Sequence, residues 1–491
     1  MYLHGTYGEL KTPSLNSGES KSVVVYVGTA PIHKVAGGST NTDLVNKPLK
    51  ITGLTSARKL LGYSEKAPFD KYTLCEAVEA HFNNSVENIG PIYVINVFNP
   101  AATGAVVPTT TPAEYPVVKK VATFTLGDLV YDSITIEDLD DADYTLSYDS
   151  QTDTVTVVVT ATTVPTKIKV SGNAVKMDTV TSEDIIGGKD ATTGEKTGLA
   201  AIEDIYRMYN EIVNVIAAPG FSETPAVYEA MIDTATKLNG HWDAFVNADI
   251  PTTTTVKTIA NAIDWKKDNG YDYGNSKVFW PKALRKDGKV FHLSTLATAK
   301  MLELDASNDG VPFVSVSNKE VDAADQTGAT GFHGFDLDEG NLLNEEGITT
   351  LVKWGGKYRL WGPHTAHYTY ADEEAGTQDP RYQFDNSIRT LFHITNAFQK
   401  DNFNDIDQPM TTHLKDTIVM REQSKLDTLV AMGALIGDAR VSFSEENDMD
   451  GVMNGNFIWD IQTTTTVPFK SGIVKIGYTP DGLSVLLGGD E

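Results

Sequence analysis

The fold is decided by the run Val23-Val24-Val25-Tyr26-Val27-Gly28, which consists mostly of β-branched residues and ends in a glycine. A short continuous apolar run of this kind predicts a strand that is buried on both faces. Residues 56–61 and 71–83 have helical patterns, and residues 91–98 repeat the buried-strand pattern. Strand, helix and strand in this order predict a parallel sheet.

The composition changes between residues 106 and 196, where Thr and Val dominate. The two residue types alternate in Thr154-Val155-Thr156-Val157, and turn-forming clusters recur at short intervals. This pattern predicts a small β-sandwich or β-barrel. Asp and Glu outnumber Lys in this segment and Arg is absent, so we expect an acidic inserted domain on an outer surface.

The α/β pattern resumes after the inserted segment. Residues 199–211 have the periodicity of a helix, and residues 212–220 have that of a strand that ends in a turn. Thr224-Pro225 suits a helix start, with Thr as the cap and Pro in the first turn. Residues 23–105 and 197–347 are therefore predicted to form one discontinuous α/β domain.

The remaining segments predict a further domain and two arms. Residues 348–471 contain two amphipathic helical patterns, at 387–398 and 413–437, and predict a C-terminal α+β domain. Residues 1–22 are polar and Gly-rich and predict an extended arm, and residues 472–491 predict a strand or hairpin. Two free β arms suggest strands that are donated to another chain.

The fold prediction is thus a multidomain α/β (α+β) protein. It combines a discontinuous α/β domain, an inserted β-sandwich-like domain at 106–196 and a C-terminal α+β domain with extended terminal arms. A chain of 491 residues is long enough for several hydrophobic cores.

Charge and composition exclude several classes of partner. The formal net charge of -26 argues against nucleic acid, because binding a polyanion depends on Lys and Arg. We expect no membrane insertion, since no apolar run approaches the length of a membrane span and no export signal begins the chain, which predicts folding in a cytoplasm. The one cysteine, Cys75, lies on a helical pattern and is predicted to be a buried thiol rather than a nucleophile.

Three motifs resemble ligand sites but lack a required residue. In the segment 188–197, Glu195 separates Gly194 from Lys196, and its carboxylate would repel a phosphate. Segment 446–457 resembles an EF-hand loop, but Phe457 occupies the position that requires a bidentate Glu. His364 and His367 are three residues apart, yet no Glu accompanies them as in helical zinc sites.

An aromatic stripe leaves two interpretations open. Trp354, Tyr358, Trp361 and His364 would suit a sugar-binding ledge, although packing in a core or at an interface is commoner. No nucleophile elbow or other convergent catalytic motif occurs. We therefore expect no enzymatic activity, no cofactor and no metal.

The order and spacing of several motifs resemble contractile tail sheath proteins of bacteriophages and phage-tail-like bacteriocins. The resemblance covers most of the chain apart from residues 106–196. The motifs that carry it are Tyr2-Leu3-His4-Gly5-Thr6-Tyr7-Gly8-Glu9, Ile51-Thr52-Gly53-Leu54-Thr55-Ser56-Ala57-Arg58-Lys59-Leu60-Leu61-Gly62, Asn214-Val215-Ile216-Ala217-Ala218-Pro219-Gly220-Phe221, Val278-Phe279-Trp280-Pro281, Lys357-Tyr358-Arg359-Leu360-Trp361-Gly362 and the closing segment after Pro468-Phe469.

What the resemblance implies is a structural subunit. Such subunits polymerise as stacked hexameric rings around an inner tail tube, and they contract to drive the tube through a target cell envelope. The implied partners are further copies of the chain, the tail tube protein, and baseplate and tail terminator proteins. The implied location is a virion tail or phage-tail-like particle that is assembled in the host cytoplasm.

The resemblance also implies roles for particular residues. The two arms would add strands to the C-terminal domains of neighbouring subunits, and the late helices would face the tube. The arm candidates are Tyr2, Leu3, Tyr7, Ile473, Val474, Ile476 and Tyr478. The tube-facing candidates are Arg389, Lys415, Arg421 and Lys425, which Asp401, Asp405, Asp407 and Asp416 surround in the sequence.

Two other classes of protein compete with this interpretation. The Thr-rich acidic insert also suits a surface-array or adhesin-like structural protein with an immunoglobulin-like module, which would carry an export signal. A carbohydrate-active or metal-dependent hydrolase would need a convergent set of carboxylates or histidines.

Overall fold

The computed structural model describes residues 22–86, 88–137, 139–330 and 334–487. In these ranges the largest sheet has eight strands. In order across the sheet, the strands are Pro48–Ile51, Ile92–Asn96, Val24–Gly28, Val215–Ala217, Phe245–Asp249, Ser276–Phe279, Ile348–Trp354 and Lys357–Trp361. The two edge strands are antiparallel to their neighbours and the six inner strands are parallel. The predicted parallel sheet is confirmed, with Val25 paired to Tyr93.

Helices cover both faces of this central sheet. Successive side chains of a strand point to opposite faces, so Val24 and Tyr26 belong to one hydrophobic cluster and Val25 and Val27 to another. The helices packed on the first face are Leu54–Leu61, Thr73–Phe82 and Leu293–Ser307. Those on the second face are Asp204–Tyr209, Pro225–Ala235, Ile259–Asp268 and Leu337–Asn344. The predicted mixed α/β fold class is confirmed.

One pairing crosses the predicted domain boundary at residue 348. Val278 pairs with Ile348 in parallel, which makes Ile348–Trp354 and Lys357–Trp361 part of the central sheet. Contacts between strands so far apart in the chain leave no local pattern in the sequence. The division of the chain into domains stays a prediction.

The segment after residue 105 forms small antiparallel sheets around a core of its own. One sheet contains Val121–Thr125, Thr154–Val159 and Tyr144–Asp149, and another contains Ala113–Pro116, Lys167–Ser171 and Thr135–Ile136. Val155, Val157 and Val159 are buried in that core, whereas Val158 points outward. The alternation of Thr and Val thus places one face of the strand in a sandwich-like core.

A buried ion pair fastens this segment to the rest of the chain. Lys34 Nζ lies 2.7 Å from Asp153 Oδ1, and both side chains are buried. Tyr148 donates a hydrogen bond of 2.8 Å to the same carboxylate oxygen. Lys71 and Asp128 form a second, more exposed pair at 2.8 Å.

The C-terminal region packs two long helices against a β-hairpin. The helices are Asp385–Asp401 and Thr412–Met432, close to the predicted ranges, and the hairpin strands are Arg440–Phe443 and Trp459–Gln462. Their shared core is formed by Ile394, Leu426, Leu429, Leu435 and Val441. The shorter elements elsewhere are the strands Val106–Pro108, Asn173–Val175, Gly188–Lys189, Lys196–Thr197, Lys282–Leu284, Val290–Phe291 and Asp325–Thr327 and the helices Ser182–Ile186, Tyr370–Ala375 and Met449–Met453.

The closing segment does not form a strand within the single chain, and its predicted role as a strand arm donated to another chain stays a prediction. Residues 471–479 form no regular structure, and Asp481–Leu487 is a short 3-10 helix. A β-strand requires a neighbour to satisfy its backbone hydrogen bonds, and in the described residues this segment has none.

Candidate assembly interface

The closing segment exposes its apolar side chains to solvent. Ile473, Val474, Ile476 and Tyr478, all predicted arm residues, are between 81% and 89% exposed. A run of large exposed apolar side chains marks a surface that binds another protein. The other three arm candidates, Tyr2, Leu3 and Tyr7, lie outside the described residues.

The C-terminal hairpin has one edge without a neighbouring strand. Among the described residues, Trp459–Gln462 pairs only with Arg440–Phe443. On the other edge of the hairpin, the Val441 amide donates to Gln423 Oε1 at 3.0 Å, and Gln423 Nε2 donates to the Ala439 carbonyl at 2.8 Å. A side chain therefore occupies the Arg440–Phe443 edge, and the edge of Trp459–Gln462 is the one that can accept an added strand.

Three of the predicted tube-facing cations lie on the helix Thr412–Met432, and each pairs with a carboxylate. Lys425 Nζ lies 2.7 Å from Asp401 and 2.8 Å from Glu422. Arg421 forms an ion pair with Asp405. Lys415 is 3.4 Å from Asp416, and its Nζ lies 5.6 Å from the centre of the Phe443 ring. The acidic neighbours seen in the sequence therefore neutralise this surface.

The fourth cation, Arg389, lies inside the molecule rather than on its surface. It forms an ion pair with Asp305, and the two side chains are 4% and 2% exposed. Ser22 Oγ donates to the same carboxylate at 2.9 Å. Burial raises the pKa of Asp305, although Arg389 and Ser22 act in the opposite direction.

A second buried ion pair lies one helical turn earlier. Lys277 Nζ is 3.0 Å from Asp385 Oδ2, and both side chains are fully or almost fully buried. Together with Arg389 and Asp305, this pair fixes the start of the helix Asp385–Asp401 to the α/β core. The sequence pattern did not predict the pair of Arg389 and Asp305, because the two residues are 84 positions apart in the chain.

The phosphate-like and calcium-like motifs are ordinary turns. Gly188–Lys189 and Lys196–Thr197 form a two-stranded hairpin whose turn is held by Asp190, which accepts hydrogen bonds from the Thr192 and Thr193 amides. Asp448 caps the short helix Met449–Met453 by accepting from the Gly451 amide at 2.7 Å.

The histidines and the cysteine have structural surroundings. His364 stacks on Tyr368, with ring centres 3.4 Å apart, and burial lowers the pKa of His364 to about 3. His367 contacts the Asp272 carbonyl instead. Cys75 is buried, which confirms that prediction, and burial raises its pKa to about 12.

The described residues also lack two other kinds of feature. They contain no group of three or more His, Cys, Asp or Glu side chains that could hold a metal ion. None of their helices has both the length and the apolar character needed to cross a membrane.

Comparison with known proteins identifies relatives along the whole chain. The tail sheath protein of Burkholderia phage BcepMu is 25% identical over 516 aligned residues, which cover 100% of this chain and 99% of that protein. The tail sheath protein of Escherichia phage P2 is 27% identical over 313 residues, or 62% of this chain and 73% of that protein. No protein-family model matches the chain.

A solved structure shares the fold over nearly the full length. The sheath complex of the extracellular contractile injection system PVC, in its contracted state, superposes with a TM-score of 0.55 at 11% identity. The superposition covers 98% of this chain and 100% of that one. The resemblance seen in the sequence is thus confirmed, since the chain is similar to tail sheath proteins of phages and prophages.

Proposed function

We propose that this chain is the subunit of a contractile tail sheath, which polymerises as stacked hexameric rings around an inner tail tube. The observation that carries the proposal is its similarity to the BcepMu tail sheath protein over the whole of both chains. The subunit performs no reaction in this proposal and needs no cofactor. Its partners are further copies of itself, the tail tube protein, and baseplate and terminator proteins.

The contact between copies is strand addition. Residues 472–478 of one copy extend along the free edge of Trp459–Gln462 in another and form the strand that the single chain lacks. Ile473, Val474, Ile476 and Tyr478 are the side chains available for burial there. Burying an exposed side chain of this size stabilises the contact by about 1.5–3 kcal/mol. The predicted N-terminal arm, residues 1–22, makes a second link of the same kind.

Contraction is a rearrangement of subunits that stay linked. Arms joined by backbone hydrogen bonds hold neighbouring copies together while the α/β bodies rotate as rigid units. The stored energy lies in a metastable extended lattice, so the tube is driven through a cell envelope without nucleotide hydrolysis. The particle is a phage tail or a phage-tail-like particle assembled in the host cytoplasm.

The inserted segment lies on the outside of the sheath in this proposal. It carries an excess of acidic residues, and its own core is independent of the central sheet. The buried pair of Lys34 and Asp153 fixes its orientation, so it moves together with the α/β body.

Electron microscopy of the purified chain at high concentration tests the proposal. Striated tubes or stacked rings are expected for the full chain, and a variant without residues 472–491 is expected to form none. A matched control lacks only residues 488–491 and keeps the four apolar arm residues, so it is expected to assemble. Tubes of normal appearance from the longer truncation would contradict strand addition by the C-terminal arm.

A further inference from the structure

A groove lies between the end of the edge strand Lys357–Trp361 and residues 466–471. Its volume is about 650 Å³, within the size range of pockets that hold small ligands or several side chains. Aromatic rings and side-chain amides dominate its walls, and they include Phe313, Trp361, Tyr368, Phe469, Asn341 and Asn386.

The walls of this groove carry groups that lack partners among the described residues. Phe469 is 90% exposed on its rim. Asn386 is 2% exposed, and its Nδ2 donates to the carbonyls of Phe313 and Thr466 at 2.9 and 2.8 Å. Its Oδ1 has no hydrogen-bond partner within the described ranges. This oxygen is itself closed off from solvent, so the exposed Phe469 ring and the aromatic walls are what an occupant would contact. The groove therefore suits a segment that carries apolar side chains.

The N-terminal segment of the same chain starts next to this groove. Ser22, the first described residue, bonds to Asp305 and lies 3.5 Å from the Gly310 carbonyl. Phe313, in the groove wall, is three residues beyond Gly310, a span of at most about 11 Å. The segment 1–21 can extend to about 70 Å, far more than this distance.

The composition of that segment fits the groove. Leu10, Pro13 and Leu15 are the nearest upstream residues with sizeable apolar side chains. Leu15 lies seven positions before Ser22, a stretch that can span about 25 Å. The C-terminal arm of the same chain is a poorer occupant, because residues 466–471, which precede it directly, already form part of the groove wall.

We propose that the groove takes up residues 10–15 of the same chain before assembly. This proposal rests on the proposed function, since it gives the unassembled subunit a holding site for the arm that later links it to a neighbour. A tethered segment has an effective concentration in the millimolar range, so modest apolar contacts suffice to keep it bound. Release of the segment then accompanies incorporation into the sheath.

Disulfide trapping in the dilute full-length monomer tests the proposal. The variant carries Leu15→Cys and Lys319→Cys, the second in the groove wall, and the native Cys75 is buried and does not interfere. The matched control carries Leu15→Cys and Ser307→Cys. Ser307 is exposed, lies two residues from Asp305, to which Ser22 bonds, and is not part of the groove wall.

The expected result is an intramolecular disulfide in the groove variant, formed about tenfold more than in the control. Equal yields in the two variants, or disulfides found only in dimers, would overturn the proposal. A second measurement removes residues 1–21 and follows hydrogen exchange of residues 313–319, which is expected to accelerate. Unchanged exchange there would also overturn it.

Failure of this proposal is distinguishable from failure of the proposed function. The reduced groove variant is also tested for tubes by electron microscopy. If tubes form but the disulfide does not, the proposal that the groove binds residues 10–15 is refuted and the proposed sheath function stands. If the disulfide forms but no assembly condition gives tubes, the result counts against the sheath function and not against binding in the groove.

Discussion

Replacing Arg389 by Met removes the cation from a buried ion pair. The Asp305 carboxylate then keeps the Ser22 hydroxyl but loses its only described cationic partner, in a site where it is 2% exposed. Breaking a buried pair by removing one partner costs about 3–5 kcal/mol. At about 1.4 kcal/mol per factor of ten, the helix Asp385–Asp401 should open about 100-fold or more often.

The stability that Arg389→Met removes should depend on pH in a defined direction. Burial raises the pKa of Asp305, and Arg389 is one of the groups that hold it down. Without Arg389 the folded state binds a proton on this carboxyl more tightly than the unfolded state does. The variant's free energy of unfolding should therefore rise as the pH falls from about 8 to about 5, and the difference from the natural chain should shrink.

Hydrogen exchange of the helix Asp385–Asp401, corrected for intrinsic rates, measures the opening at each pH. Arg421→Met is the matched control, because Arg421 is 32% exposed and its pairing with Asp405 is worth about 0–1 kcal/mol. The double variant Arg389→Met with Asp305→Leu should recover much of the loss, since no buried charge remains unpaired. The reasoning is refuted if Arg389→Met is as mild as Arg421→Met, or if its effect is the same at both ends of the pH range.

Three further predictions concern other buried groups. Lys34→Met should loosen the inserted segment by about 3–5 kcal/mol, because Asp153 is left as an unpaired buried charge. Faster proteolysis near residue 180 is expected, and unaltered proteolysis of the variant would count against it. Cys75 should not react with thiol reagents at about pH 8 until urea unfolds the chain, because burial raises its pKa to about 12; rapid labelling of the folded chain would contradict this. Burial lowers the pKa of His292, but Glu76 and other carboxylates outweigh burial and raise the pKa to about 10. The stabilising charge of His292 is therefore fully present below about pH 6.5 and is lost as the pH rises through about 10. Melting temperatures over that pH range should fall less for His292→Gln than for the natural chain.

Local patterns predicted the elements whose burial follows from their own sequence. Val24–Gly28 and Ile92–Asn96 are mostly apolar and are buried along their whole length, so their parallel pairing inside a sheet covered on both faces followed from the runs themselves. In Thr154–Val159 the inward residues are valines, and alternation was enough to predict a sandwich-like core.

Contacts between distant parts of the chain were not predictable in this way. Arg389 was assigned to a tube-facing surface because the family resemblance implies that the late helices face the tube. Its partner Asp305 lies on another helix, and no periodicity connects the two. The closing segment has the composition of a strand, but strand formation depends on a neighbour that a single copy does not supply.

The position of Val24–Gly28 at the middle of the sheet has a consequence for synthesis on the ribosome. One of its neighbours, Val215–Ala217, is made about 190 residues later, which takes roughly 10–40 s at ordinary rates of translation. During that interval a hydrophobic strand with one vacant edge is present on every nascent chain, and many copies are made close together. The strong negative charge of the chain repels neighbouring copies during this interval, which favours completion of each sheet from its own strands.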